Sequence, residues 1–193
     1  MSVLISVFMF LLITPPAITS SAEARSKSES IVSAAAQSIS DALVKPPRDN
    51  EICFSPDEPC DVKLVKFIQS ARQSIDVAIY DLNLEQLVHE LLVASKKIRV
   101  RILVDRKQAK GKHSLVPLLI KAGAQIRYGH QRGIMHNKFA IVDGNRVETG
   151  SFNYTHHARS SNNENQIYLG APEIVARYQQ RFNVIWDKAD EAQ

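Results

Sequence analysis

The sequence has few of the side chains from which metal centres are built. It contains only two cysteines, Cys53 and Cys60, and its carboxylates, such as Asp76 and Asp105, are scattered along the chain. A zinc site needs several Cys, His or carboxylate ligands at suitable spacing, and the adjacent pair His156-His157 has no such company. The sequence therefore predicts neither a metal centre nor a bound cofactor.

Apolar runs long enough to cross a membrane are also missing near the N-terminus. The run at residues 3–13 is shorter than the ~20 residues that a spanning helix needs. Pro15-Pro16 ends it, and Ala22-Glu23-Ala24 follows the pattern of a cleavage site. We predict a signal peptide at residues 1–24 and a periplasmic or secreted protein. No Lys or Arg precedes the run, so an uncleaved membrane anchor stays open as the alternative.

Residues 25–50 are rich in Ser and Ala and contain no apolar run long enough to join a core. Helical spacing of apolar residues between Ser30 and Leu43 allows a loose helix, so we predict a linker that is poorly ordered or loosely helical. Beyond it, Cys53 and Cys60 are expected to form a short disulfide if the chain is exported. Two free thiols are the alternative.

Residues 51–193 are enough for one domain with an ordinary core. Helical and strand patterns alternate along them, which predicts an α/β fold with a mixed sheet. The predicted helices are 61–72, 84–95, 114–122 and 172–187, and the predicted strands are 75–80, 98–104, 125–128, 138–143, 146–150 and 166–169.

One short stretch indicates chemistry, because His136, Lys138 and Asp143 follow the pattern H-x-K-x4-D. Residues 138–143 have the pattern of a strand, and Gly144-Asn145 predicts a tight turn after it. Residues two apart on a strand share a face, so His136 and Lys138 are directed together. An imidazole that can attack or protonate, beside a fixed ammonium, suits a phosphate group.

A return strand is expected to carry Ser151 and Asn153, which both have hydrogen-bond donors, to the start of the first strand. Glu164 opens a third strand and is expected near the same end. A carboxylate bonded to one ring nitrogen orients a histidine and stabilises its protonated form. Asp143 belongs to the candidate catalytic set as well, although its turn position favours bracing the loop.

These residues, with the element Gly150-Ser151-x-Asn153, resemble the active-site signature of the phospholipase D superfamily. From about Cys53 to the C-terminus the layout is similar to that of the superfamily's small secreted bacterial endonucleases, which carry one motif per chain. The resemblance implies a layered α/β/α sandwich. It also implies two-step phosphodiester cleavage, in which one histidine forms a phosphohistidine and a second protonates the leaving oxygen.

Phosphate binding would fall to Lys138, Ser151 and Asn153, which can neutralise charge without a metal ion. None of the other five histidines begins a second H-x-K, so the chain holds half of a two-histidine site. A symmetric homodimer in which His136 of each subunit meets across a two-fold axis completes it. The sequence does not indicate which subunit supplies the nucleophile.

Charge is the main guide to the substrate. The net charge is +4, and residues 96–112 are rich in Lys and Arg, which attract a polyanion. The sequence therefore predicts a non-specific endonuclease acting on DNA, RNA or both. Two alternatives stay open. One is a phospholipase D acting on phospholipids at a membrane, and the other is a non-catalytic nucleic-acid-binding dimer.

Overall fold

The computed structural model describes residues 21–129 and 133–192, and most of the predicted signal peptide lies outside them. Helix α1, Ser21–Leu43, lies in the first of two compact units except for its last residue, since that unit ends at Ala42. Within this helix Gln37 Nε2 donates to Asp41 Oδ1, one turn away, at 2.7 Å. The helix predicted around residues 30–43 is thus part of a longer one. Among the described residues, no helix is long and apolar enough to cross a membrane.

The second unit is built around a mixed sheet, which has eight strands among the described residues. They are β1 (Glu51–Ser55), β2 (Ser74–Ile79), β3 (Arg99–Val104), β4 (Gln125–Tyr128), β5 (Lys138–Val142), β6 (Arg146–Gly150), β7 (Glu164–Leu169) and β8 (Asp190–Glu191). Their order across the sheet is β1-β7-β6-β5-β2-β3-β4-β8. Strands β2, β3 and β4 run parallel, and the other pairs are antiparallel.

Helices cover both faces of this sheet. They are α2 (Cys60–Gln69), α3 (Glu85–Ser95), α4 (Arg106–Ala109), α5 (Val116–Lys121), α6 (His156–Ser160) and α7 (Pro172–Lys188). Successive residues of a strand face opposite sides. Val77 accordingly packs in the core that includes α2, α3 and α5, whereas Ala78 packs in the core that includes α7. The predicted α/β/α sandwich with a mixed sheet is confirmed.

Strand β1 is not among the predicted elements. It pairs antiparallel with β7 at the edge of the sheet. Its inward residues, Cys53 and Ser55, are buried, while Ile52 and Phe54 point outward and are exposed. This arrangement inverts the usual apolar pattern of a strand, which explains why the sequence does not reveal it. In the structure Cys53 is joined to Cys60 by a disulfide, with 5.7 Å between the Cα atoms.

Candidate active site

The H-x-K residues lie at the edge of the sheet where β2 and β3 end and β5 begins. Lys138, the first residue of β5, pairs with Ile79, the last of β2. On the other side of β5, strand β6 ends at Gly150, which pairs with Gln166 near the start of β7. Several strand ends therefore meet at the carboxyl edge of the parallel strands, where ligands commonly bind in α/β proteins.

His136 lies exposed in the loop before β5, and a buried carboxylate holds that loop. Asp105, which follows β3, accepts a hydrogen bond at Oδ2 from the main-chain N–H of Met135, at 3.1 Å. Its Oδ1 accepts from the N–H groups of Lys107 and Gln108, at 3.0 and 3.1 Å. Asp105 is therefore the N-cap of α4. One carboxylate fixes both α4 and the backbone beside His136.

The ring of Tyr80 packs against both residues of the pair. Its centroid is 4.7 Å from the imidazole centroid of His136, with 67° between the planes, and 5.3 Å from Lys138 Nζ. Tyr80 Oη accepts a hydrogen bond from Gln108 Nε2 at 2.7 Å, so α4 holds the ring. Lys138 Nζ also donates to the main-chain oxygen of His136 at 2.9 Å. The imidazole and the ammonium are thereby held side by side.

Partial burial lowers the pKa of Lys138, and the nearby carboxylate of Glu164 acts in the opposite direction. The ammonium has therefore lost part of its hydration. In such surroundings its attraction for an anion is stronger than in water.

Ser151 and Glu164 meet where β6 ends and β7 begins. Ser151 Oγ donates to Glu164 Oε2 and accepts the N–H of Asn165 at 3.1 Å. Glu164 Oε1 accepts a hydrogen bond from Asn162 Nδ2 at 2.9 Å. A Cβ on Gly150 would lie 2.1 Å from the carbonyl oxygen of Asn165. Only glycine permits the close strand approach that brings this hydroxyl and carboxylate together.

Asn153 lies between β6 and α6. Its main-chain oxygen accepts the N–H of Thr155 at 2.8 Å. Its Oδ1 is buried and has no hydrogen-bond partner among the described residues. Such an unpaired oxygen costs roughly 1–3 kcal/mol. The described part of the chain therefore leaves the hydrogen-bonding capacity of this side chain unfilled.

Asp143 does not join the site, and its place in the candidate catalytic set is corrected. It follows β5 at the end opposite His136, and its carboxylate accepts the N–H groups of residues 72–74 at 2.7–3.1 Å. A strand rises ~3.3 Å per residue, so Asp143 lies roughly 16 Å from Lys138. Its φ of 52° is that of a turn residue. Asp143 ties the β5–β6 turn to the loop before β2.

Three residues at the site are missing from the set predicted from the sequence: Tyr80, Asp105 and Gln108. In the sequence, Asp105 follows a strand and precedes a short helix, which is the usual position of a helix N-cap. The local pattern therefore does not indicate a role beside His136. The relation of these residues to His136 depends on the parallel pairing of β2 with β3, which local patterns do not specify.

Residues 64–186 match a protein family described as "Cardiolipin synthase, PLD-like domain". This match spans more than half of the chain and includes His136, Lys138, Ser151, Asn153 and Glu164. The chain belongs to the phospholipase D superfamily. The resemblance noted from its motif is confirmed.

A relative in this superfamily is the mitochondrial cardiolipin hydrolase of Danio rerio, which is 36% identical over 132 residues. That alignment covers 67% of this chain and 58% of the relative, so this chain spans less than two thirds of that protein.

Two solved structures of similar shape cover this chain well. Nuc from Salmonella typhimurium, a phospholipase D family member, has a TM-score of 0.70 and 26% identity, over 74% of this chain and 97% of Nuc. NucT from Helicobacter pylori has a TM-score of 0.68 and 25% identity, over 75% of this chain and 99% of NucT. The sandwich is thus one that the phospholipase D superfamily uses.

Proposed function

We propose that this protein is a metal-independent phosphodiesterase that acts as a non-specific endonuclease on DNA, RNA or both. The observation that carries the proposal is the placement of His136 beside Lys138 at an open strand end, with Ser151 and Glu164 on the adjoining strands. These groups supply a nucleophile, a cation, a hydroxyl and a carboxylate. Overlap with nearly all of Nuc, a phospholipase D family member, and of NucT supports a compact catalytic domain.

In the proposed reaction an imidazole nitrogen of His136 attacks phosphorus. The N–P bond forms as the P–O bond to the leaving group breaks, and a second imidazole gives its proton to the leaving oxygen. Water then attacks the phosphohistidine and gives a proton to the second imidazole, and the N–P bond breaks. Lys138, Ser151 and Asn153 would bind the non-bridging oxygens. Among the described residues, no group of Cys, His, Asp and Glu could hold a metal ion.

Glu164 would orient an imidazole and stabilise its protonated form. In the structure its two oxygens accept hydrogen bonds from Ser151 and Asn162. Each carboxylate oxygen can accept a further hydrogen bond, so Glu164 can contact a histidine while it keeps these two. The hydroxyl of Ser151 can also turn from Glu164 to a phosphate oxygen.

We further propose that the active enzyme is a homodimer, because the reaction needs two imidazoles and the chain has one H-x-K motif. His136 is exposed, and Ile134, two residues before it, is 58% exposed and offers apolar surface. In a two-fold interface identical residues can meet.

Subunit mixing tests the dimer. Wild-type protein exchanged with a three-fold excess of His136→Ala should keep about one quarter of its activity, because most wild-type subunits then lack an intact partner. Unchanged activity after verified exchange would contradict a shared site.

The distribution of positive charge favours a polyanion. In the basic stretch at residues 96–112, Arg99 and Arg101 are bonded to the buried Asp76, so their charges serve the fold. Lys96 and Lys97 are exposed before β3, at the other end of that strand from the site. Three further exposed lysines, Lys107, Lys110 and Lys112, lie on and after α4, the helix that holds Tyr80 against the catalytic pair.

A second candidate function is hydrolysis of phospholipids as a phospholipase D. Its support is the identity of 36% with a protein named mitochondrial cardiolipin hydrolase. The same phosphate-centred site would serve, and an uncleaved N-terminal segment would supply membrane contact. A non-catalytic nucleic-acid-binding dimer is the remaining alternative.

The deciding experiment supplies plasmid DNA, single-stranded DNA, RNA and cardiolipin vesicles to the purified protein in excess EDTA. His136→Ala is the active-site variant, and His89→Ala, at an exposed position on α3, is the matched control. Nucleic-acid cleavage by the wild type and the control, absent in His136→Ala, is the expected result. If the wild type and the control hydrolyse cardiolipin, His136→Ala does not, and no protein cleaves nucleic acid, the function would be that of a phospholipase D. Binding without cleavage would favour the non-catalytic dimer.

For localisation we propose export to the periplasm or the medium after cleavage at about residue 24. A disulfide between Cys53 and Cys60 suits an oxidising compartment. Fractionation with N-terminal sequencing tests this proposal. Full-length protein in the membrane fraction would favour the anchored alternative.

A further inference from the structure

An open cleft of about 530 Å³ shares Gln108 with the residues that support the catalytic pair. Gln108, whose Nε2 donates to Tyr80 Oη, forms part of its wall, and so does Asp81, the residue after Tyr80. Tyr80 itself packs on His136. Gln108 and the segment Tyr80-Asp81 therefore link the cleft to the catalytic pair.

Hydrogen bonds between short segments set the outline of the cleft. Asn83 Oδ1 accepts the N–H of His156 at 3.1 Å, which ties α6 to the segment after β2. The main-chain N–H of Tyr154 donates to the oxygen of Asp81 at 3.2 Å. His156 Nε2 also lies 2.5 Å from Glu85 Oε2. These contacts hold the walls in place before a ligand arrives.

Most side chains that line the cleft are of polar type, and several carry flat rings, whose faces add apolar surface. His113 and His157 contribute exposed imidazoles, and Asp81 and Gln108 contribute hydrogen-bonding groups. Among the described residues that line the cleft, Leu115 is the single large aliphatic side chain. A volume of this size is ordinary for a small-molecule site. An acyl chain in this cleft would leave the polar groups without partners, at a cost for each.

We propose that this cleft binds the nucleobase and sugar of a nucleotide next to the scissile phosphate. This inference rests on the proposed nuclease function. Proteins bind unpaired bases by stacking on flat side chains and by hydrogen bonds to the base edges. The imidazoles of His113 and His157 supply the stacking faces, and Asp81 and Gln108 supply acceptors and donors.

The test combines a protein change with a substrate change. The protein change is the double variant His113→Ala/His157→Ala, and His89→Ala is the control. The substrate change compares an oligonucleotide with a chain of the same length in which every sugar lacks its base. The wild type should show a KM about ten-fold lower for the oligonucleotide than for the abasic chain, and the double variant should lose this preference. Its kcat/KM on the abasic chain should stay within about two-fold of wild type.

Equal losses on the two substrates would indicate damage to the fold or a contact with the backbone, and would overturn a base-binding cleft. An unchanged preference for the oligonucleotide in the double variant would overturn it too. If the wild type cleaves neither chain, the proposed nuclease function itself has failed. Cardiolipin turnover that falls in the double variant would then assign the cleft to a lipid headgroup.

Discussion

The two ends of β5 differ in what their polar side chains contact. At the start, His136 is exposed and rests on the ring of Tyr80, and Lys138 Nζ bonds one main-chain oxygen. At the far end, the carboxylate of Asp143 accepts hydrogen bonds from the successive N–H groups of residues 72–74. A carboxylate used in this way has little capacity left for a substrate. The H-x-K-x4-D signature thus joins a proposed catalytic end, before and at the start of β5, to a structural end after it.

Replacing His136 by Ala removes the proposed nucleophile and should cause the largest loss of activity. Phosphodiester cleavage should fall by about 10⁴ or more, because nucleophile and acid are lost from both half-sites of the proposed dimer. The free energy of unfolding should stay within about 0.5 kcal/mol, since the side chain is exposed. Single-turnover cleavage and urea unfolding measure the two quantities. Activity close to that of the wild type would remove His136 from the mechanism.

Lys138→Ala tests the second residue of the pair at the start of β5. The kcat should fall by about 10²–10³, because a cation directed at the non-bridging oxygens is lost. Sedimentation should show the same assembly as the wild type. A loss below three-fold, or a change of assembly, would indicate a structural lysine.

Asp143→Ala should lower stability and leave activity nearly unchanged, the reverse of what is expected for His136→Ala. Loss of a charged acceptor and a positive φ on alanine should lower the free energy of unfolding by about 2–3 kcal/mol. Activity per folded molecule, measured well below the melting temperature, should stay within about three-fold of wild type. Asp143→Asn keeps an acceptor oxygen and tolerates the φ of 52°, so its destabilisation should be smaller. A catalytic defect as large as that of Lys138→Ala would return Asp143 to the site.

The middle of the strand pair carries a different group, Glu148 of β6, which lies opposite Ala140. Burial raises its pKa to about 8, and a hydrogen bond from the hydroxyl of Tyr154 opposes the rise. An unfolded glutamate titrates near ~4.3, so between these values the native state holds a proton that the unfolded state has released. Wild-type stability therefore falls as pH rises from about 4.3 to about 8.

Glu148→Gln should remove this dependence. Its stability relative to wild type should rise by about 2–3 kcal/mol between pH 5 and pH 7, read from denaturant midpoints. Glu173→Gln, at an exposed position on α7, should give a curve parallel to wild type. Parallel curves for both variants would mean that Glu148 does not retain its proton in the folded state.

The sequence predicts those features that depend on local periodicity. Helix α7 begins at Pro172 and repeats apolar residues at helical spacing, and the strand pattern places Lys138 at the start of β5. His136 lies in the loop before that strand, and contacts with Tyr80 and Lys138 hold it there. The residues that support His136 and Lys138 cannot be predicted from local periodicity. Tyr80 and Asp105 reach the site only because β2 and β3 are neighbours, and that pairing is decided by packing of the whole sheet.

Asp105 also has a consequence for the order of folding. Its Oδ2 bonds Met135 across 30 residues of chain, while its Oδ1 bonds the start of α4 locally. The local bonds close a short loop, whereas the long-range bond must await a costly chain closure. In a refolding experiment, helical signal should accordingly return before enzymatic activity. The proposed dimer must also assemble before activity returns, so the part of the interval that does not change with protein concentration would report when the loop of His136 reaches β3.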